Sequence, residues 1–147
     1  RLTGGGVLAL AERVPRRTQR IYALANLAEL PAELTARWMT AEEAIYADAS
    51  DPLVNWDGDD VRRWLEALHL MVEVTVEVET TATPITPAML ARWFTPVQGG
   101  RPAYVDRLRA ALSTDEIARI RSLLERQLSG QTVAWAGATL FLTARRA

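Results

Sequence analysis

The hydrophobic and polar positions of this chain follow two different periods, which together predict a mixed α/β protein. The uninterrupted apolar run Val7 to Ala11 predicts a strand covered on both faces, because a half-exposed strand would alternate. Such a strand belongs in the middle of a sheet, although this one directly follows the turn Gly4-Gly5-Gly6. From Met71 to Glu79, valines alternate with glutamates and a threonine, which predicts a strand with one face in water.

Apolar residues at helical spacing predict the intervening helices. We expect one helix from about Thr18 to Glu29 and a second from Pro31 to near Asp48, with Glu42 on its wet side. A third should run from the acidic turn Asp57-Gly58-Asp59-Asp60 to Leu68. Three more are expected between residues 86 and 128.

The last of these helices opens with the capping box Ser113-Thr114-Asp115-Glu116. After it, Gln131 to Trp135 and Thr139 to Ala144 are rich in strand formers and predict a hairpin or bent strand pair about a turn containing Gly137. The whole order therefore predicts one α/β domain over residues 1–147, with few strands and a large helical share.

Composition and charge exclude several classes of protein. The 147 residues are 49% hydrophobic and 24% charged, as in ordinary globular proteins, and the net charge of -1 creates no strong general attraction to nucleic acid or membranes. No run is long enough to cross a bilayer. The absence of cysteine excludes disulfides, thiol catalysis and thiolate metal sites, and fits a cytoplasmic protein.

Three motifs invite a functional interpretation that their context does not favour. The glycine triplet precedes a strand, whereas phosphate-binding glycines follow a strand and open a helix, so a turn is favoured. The acidic turn around Gly58 is out of register for a calcium loop and suits a helix cap. His69 is the only histidine and has no nucleophile motif to serve, so a packing or capping role is favoured.

Two groups of residues are candidate contacts. Arg13, Arg16, Arg17 and Arg20 could touch phosphates of nucleic acid, or could form a solvated loop and helix start. Of the five tryptophans, Trp38, Trp64 and Trp93 lie on helical stripes and are expected in the core. Trp56 and Trp135 lie at irregular or strand-end positions, where an indole could line a pocket or interface.

The glycine turn with the strand Val7 to Ala11, the helix ending at Leu68, the valine strand and the closing strand Thr139 to Arg145 resemble the second half of a class I S-adenosylmethionine-dependent methyltransferase. In that family a segment of this kind forms the fifth strand, and the last two strands form an antiparallel edge. The resemblance implies a partial three-layer sheet of about three to four strands with a large helical insertion between Thr86 and Leu128.

Four segments are more narrowly similar to a methyltransferase-like region that some bacteria carry fused behind a replication-associated recombination AAA+ ATPase. These segments are Glu42-Glu43-Ala44-Ile45-Tyr46-Ala47-Asp48, Val54-Asn55-Trp56-Asp57, Leu90-Ala91-Arg92-Trp93-Phe94 and Gln131-Thr132-Val133-Ala134-Trp135. This resemblance implies a parent protein that acts on DNA at stalled or damaged replication forks.

The resemblance carries over no catalytic, cofactor-binding or metal-binding residue. The family's glycine-rich cofactor loop and the acidic residue ending its second strand would both lie before Arg1, so S-adenosylmethionine or ATP is expected only in the parent. The family often has a glycine before its sixth strand, where this chain has His69-Leu70.

Three functions follow as hypotheses. The chain is a non-catalytic interaction or scaffolding module of the ATPase, or half of a methyltransferase whose cofactor motif lies upstream, or a nucleic-acid contact module using the basic loop. The expected partners are the missing N-terminal portion of the same protein, a second copy paired along the uncovered edge of the first strand, and DNA through the parent, but no membrane.

Overall fold

A computed structural model describes residues 5–146, which form two compact units. The first unit takes the described parts of 1–19, 46–80 and 136–147, and the second takes 20–45 and 81–135. Each unit has its own hydrophobic core. The prediction of one domain over 1–147 stays a prediction, because two compact units can belong to one domain. Gly4 of the glycine turn lies outside the described residues, while Gly5 has the positive φ, 78°, that favours glycine in a turn.

A three-stranded sheet provides the frame of the first unit. Its strands are β1 (Val7–Arg13), β2 (Leu70–Pro84) and β3 (Thr132–Arg146), in the spatial order β1-β3-β2. β1 runs antiparallel to β3, with Val7 opposite Arg145 and Arg13 opposite Thr139. β2 also runs antiparallel to β3, since the hydroxyls of Thr139 and Thr143 contact Glu79 and Glu73 respectively. The sequence prediction of a mixed α/β chain with an antiparallel edge is therefore confirmed in this coarse form, and the three-layer arrangement stays a prediction.

Helix α2 (Gly58–Glu66) covers one face of this sheet. Val61 and Leu65 of the helix pack against a row of buried residues that alternate along β3, namely Ala138, Leu140, Leu142 and Ala144. Gly58 permits the helix to start close to the sheet: a Cβ there would lie 2.8 Å from Val76 Cγ2. Trp64, expected in the core, is instead 54% exposed, and Leu68 is exposed too, because the packed stripe contains only Val61 and Leu65.

Helices make up most of the second unit. They are α1 (Ala32–Ala47), α3 (Pro87–Phe94), α4 (Tyr104–Leu108) and α5 (Thr114–Leu128). Pro87 is the first residue of α3, and Thr86 is its N-cap. Ser113 caps α5 through the capping box predicted from the sequence. Their buried side chains form one core that includes Trp38, Leu90, Trp93, Leu108, Ile120 and Leu124.

Of three sequence predictions about elements, one stays a prediction and two were wrong. Among residues 5–146, β1 has only β3 as a partner and its residues are mostly exposed. The central place predicted for β1, with neighbouring elements expected outside this chain, stays a prediction. Thr18 to Glu29 forms no α-helix but two short 3-10 turns, Tyr22–Leu24 and Leu27–Glu29, and a third 3-10 turn, Pro15–Arg17, precedes it. The expected hairpin or bent strand pair about a turn containing Gly137 is one continuous strand, β3, with Gly137 inside it.

Candidate functional site

The outer edge of β1 is open to a further strand. The amide of Val14 donates to the carbonyl of Ala138 at 2.9 Å, and the β1–β3 register places these residues opposite each other. Because backbone groups alternate in direction along an antiparallel strand, Leu8, Leu10 and Glu12 also bond inward to β3. The amides and carbonyls of Val7, Ala9, Ala11 and Arg13 therefore point outward, and no strand within residues 5–146 pairs with them.

Among the described residues, no element covers the face of the sheet opposite α2; we call it the open face. Alternation along the strands places on it the odd-numbered residues of β1, of β2 from 71 to 79 and of β3 from 139 to 145. Near its centre lies Phe141, which is 43% exposed, and apolar side chains extend to Val7, which is 56% exposed. The residues of the open face are Val7, Ala9, Ala11, Arg13, Met71, Glu73, Thr75, Glu77, Glu79, Thr139, Phe141, Thr143 and Arg145.

A shallow depression of about 520 Å³ occupies the middle of the open face. Ala9 and Ala11 form one side, Phe141 lies beside them, and Glu73 and Thr75 form the other side. Because the side chains of Ala9 and Ala11 are small, the depression runs along the strands beside the ring of Phe141. It offers an apolar surface flanked by carboxylates.

The basic loop that follows β1 contains Arg16 and Arg17. Ion pairs connect these two arginines to the start of α2. Arg16 reaches Asp60 at 2.8 Å and Asn55 Oδ1 at 3.0 Å, and Arg17 reaches Asp57 at 3.2 Å. Asp57 caps α2 and its amide donates to Asp60, which confirms the capping role predicted for the acidic turn. Burial raises the pKa of Asp60, but the Asp57 amide and the guanidiniums of Arg63 and Arg16 outweigh it and leave that pKa lowered.

The other two candidate arginines also contact carboxylates. Arg13 pairs with Glu79 in the first unit. Arg20 belongs to the second unit, where its guanidinium donates to both oxygens of Glu43, at 2.8 and 3.0 Å, and lowers the pKa of that carboxyl. Nucleic-acid contact through these four arginines stays a prediction, and phosphates would have to compete with the carboxylates that each one contacts.

The two candidate tryptophans pack against the cores of their own units. Trp56 is partly buried against the sheet core of the first unit. Trp135 packs on Trp93 in the second unit, with ring centroids 6.1 Å apart. Each indole therefore has an intramolecular packing role, and its use in an interface stays a prediction.

The sequence interpretation missed a buried carboxylate in the second unit. Glu42, predicted on the wet side of α1, is fully buried and accepts hydrogen bonds from the amides of Ile21 and Tyr22 and from the Tyr104 hydroxyl. Burial raises its pKa, against the opposing effect of these donors. The spacing carried a signal, because Glu42 follows Trp38 by four residues and precedes Ile45 by three, on the apolar stripe.

Searches of the described residues for metal-ligand clusters and membrane-crossing helices, and of the sequence for similar proteins, gave no match. Within residues 5–146, no three His, Cys, Asp or Glu side chains cluster as metal ligands, and no helix combines the length and hydrophobicity needed for a membrane crossing. No protein-family model matches the chain, and no curated protein matches it. The geometry that distinguishes this chain is thus the outer edge of β1 and the open face beside it.

Proposed function

We propose that this chain is a non-catalytic interaction or scaffolding module: the C-terminal part of a methyltransferase-like domain in a bacterial, cytoplasmic AAA+ ATPase of DNA replication and recombination. The outward-pointing backbone groups of β1 carry the proposal. An edge strand with unpaired amides and carbonyls is a template for another strand, and proteins normally shield it.

The composition of β1 supports pairing with a partner. Devices that protect an edge are proline, a bulge or charges along the strand. Residues Val7 to Ala11 contain neither proline nor a charged residue. The charged residues of β1 are Glu12 and Arg13, at its end. A partner strand would meet the outward-pointing backbone groups of Val7, Ala9 and Ala11, and none of these three residues has a charged side chain.

The strand order agrees with the methyltransferase resemblance. That resemblance implies that the last two strands form an antiparallel edge, and β2 and β3 are antiparallel neighbours on one side of the sheet. It also gives β1 the place of the fifth strand. Earlier strands of such a sheet would then continue it at the outer edge of β1, so the preceding portion of the same protein is the proposed partner.

The experiment supplies that preceding portion of the parent ATPase as a separate chain and measures co-purification and affinity. Ala11→Pro removes one outward amide while leaving the inward bonds of Leu10 and Glu12 to β3, so we expect affinity to fall by at least about tenfold. Ala11→Val retains the amide and favours a strand, so binding should persist. Equal binding by both variants, or none by the unmodified chain, would refute the proposal.

The same topology favours a second candidate, in which the completed domain is a methyltransferase. Calorimetry with S-adenosylmethionine on the full-length parent separates the two. Binding there would support the enzyme, whereas absence of binding with intact strand pairing would support the scaffolding role. The chain by itself is expected to bind none, since the resemblance assigns no cofactor residue to it.

A further inference from the structure

We propose that the open face binds an amphipathic helix that carries basic residues along one flank, an inference that rests on the proposed interaction role. The outer edge of β1 and the open face are different surfaces: backbone groups form the first, and side chains of all three strands form the second. A strand can occupy the edge without covering the face. The face therefore needs an occupant of its own.

The shape of the open face suits a helix. Between the rows of Val7 and Arg13 the strands extend about 20 Å, which about 13 helical residues would span. Ala9 and Ala11 lie low beside the exposed ring of Phe141, so a ridge of helical side chains can enter the depression between them. On its other face the same sheet already packs against a helix, α2.

The charges of the open face favour a helix with basic residues beside its apolar side. On the open face, the exposed positions of β2 are Met71, Glu73, Thr75, Glu77 and Glu79. Arg13 pairs with Glu79 at one corner, and Arg145 lies at the opposite end of β3. Glu73 lines the depression and Glu77 lies on the same face of β2, where a lysine or arginine from a partner would be attracted to them.

These charges argue against a second copy of the chain on this face. Two stacked open faces would bring the same acidic row from each copy into one interface, where like charges oppose association. A basic, amphipathic helix supplies the opposite sign together with the apolar stripe that Phe141 requires. Nucleic acid offers phosphates, which the acidic row would repel.

The test uses a fluorescently labelled helical peptide of leucine and lysine, about 18 residues long, with the apolar residues on one side. A second peptide keeps the leucines and replaces lysine by glutamate. Anisotropy titrations with the intact chain should show binding of the lysine peptide, weakened by salt, and at least about tenfold weaker binding of the glutamate peptide. Amide chemical shifts of Ala9, Ala11, Phe141 and Thr143 should move on binding.

Variants separate this surface from the rest of the molecule. Phe141→Asp and Glu73→Lys should each lower the affinity for the lysine peptide by at least about tenfold. Val97→Asp and Glu33→Lys make the same changes at exposed positions of the second unit and should leave it unchanged. Phe141→Asp keeps the outward-pointing amides and carbonyls of β1 and should leave binding of the preceding portion of the parent unchanged, so failure of the strand-pairing proposal and failure of this one are distinguishable.

Four results would overturn the inference. One is equal binding of the two peptides, and another is unchanged affinity in Phe141→Asp. The third is a concentration-dependent dimer that Phe141→Asp dissociates, because the open face would then belong to a second copy. A DNA duplex of about 20 base pairs that displaces the peptide would likewise assign the face to nucleic acid.

Discussion

The hydroxyl of Tyr104 donates to the buried carboxylate of Glu42 at 2.6 Å, and it accepts the indole N–H of Trp38 at 2.8 Å. One phenol therefore links two buried side chains of α1. The same carboxylate accepts hydrogen bonds from the backbone amides of Ile21 and Tyr22. This network ties an irregular segment and α4 to α1 in the second unit.

Tyr104→Phe should destabilise the chain by about 2 kcal/mol, because it removes a charged hydrogen bond and leaves the indole N–H of Trp38 without this acceptor. Urea denaturation followed by tryptophan fluorescence gives the free energy of unfolding. Tyr22→Phe is the control, since the Tyr22 hydroxyl contacts Glu43 at the surface. A loss in Tyr104→Phe no larger than the loss in the control would contradict the role of the network.

Glu42 should also make stability depend on pH. Burial raises its pKa above the ordinary value of a glutamate, so the folded chain holds the proton more tightly than the unfolded chain does. Its contribution to folding is therefore most favourable below the unfolded pKa and is lost as the pH rises through the raised value. Glu42→Gln removes this dependence.

The measurement is the difference in unfolding free energy between the wild-type chain and Glu42→Gln, from about pH 4 to pH 8. We expect the wild-type advantage to shrink as the pH rises. Taking the difference cancels the opposite contributions of Asp60 and Asp106, whose lowered pKa values stabilise the folded chain at higher pH in both proteins. Glu33→Gln removes an exposed carboxylate from the same helix, and an equal trend in that variant would contradict the assignment to Glu42.

Gly58→Ala should destabilise the first unit by about 1 kcal/mol, although alanine is the better helix former. The new methyl group would lie 2.8 Å from Val76 Cγ2 and 3.3 Å from Leu140 Cδ1, forcing α2 away from the sheet. Thermal unfolding checks the loss, and Asp59→Ala at the next, exposed position is the control. In a double-mutant cycle, Val76→Ala should cost less in the Gly58→Ala background than in the wild type.

His69→Gly should stabilise the chain by about 0.5–1 kcal/mol. His69 has φ 57°, the left-handed conformation that a β-carbon disfavours, at the connection between α2 and β2. His69→Ala removes the imidazole and keeps the strained backbone, so it should bring no gain. A gain shared by both variants would show that the side chain, rather than the backbone, causes the strain.

Local chemistry predicted the caps of this fold well. Ser113 and Asp57 cap their helices as the sequence indicated, because a capping box needs only four consecutive residues. The segment from Thr18 to Glu29 has helical spacing, yet the amides of Ile21 and Tyr22 bond to Glu42 instead of continuing a helix. Short-range patterns cannot reveal such a distant acceptor.

The candidate site was harder to predict because it depends on neighbours in space. The apolar run of β1 indicated a strand, but only the register with β3 shows which backbone groups point outward. Gly137 was predicted in a turn, whereas it lies inside β3, where a Cβ would meet the Arg13 guanidinium at 2.9 Å. The open face requires all three strands to be placed before it can be recognised.

The uncharged stretch of β1 also matters for how the purified protein behaves. Glu12 and Arg13 act as gatekeepers against aggregation at one end of the strand, and Val7 to Ala11 has none. Concentrated solutions of the chain alone should accumulate β-rich aggregates over time, seeded at this edge. The time for which the purified protein can be stored without aggregating would then depend on whether its natural partner is present.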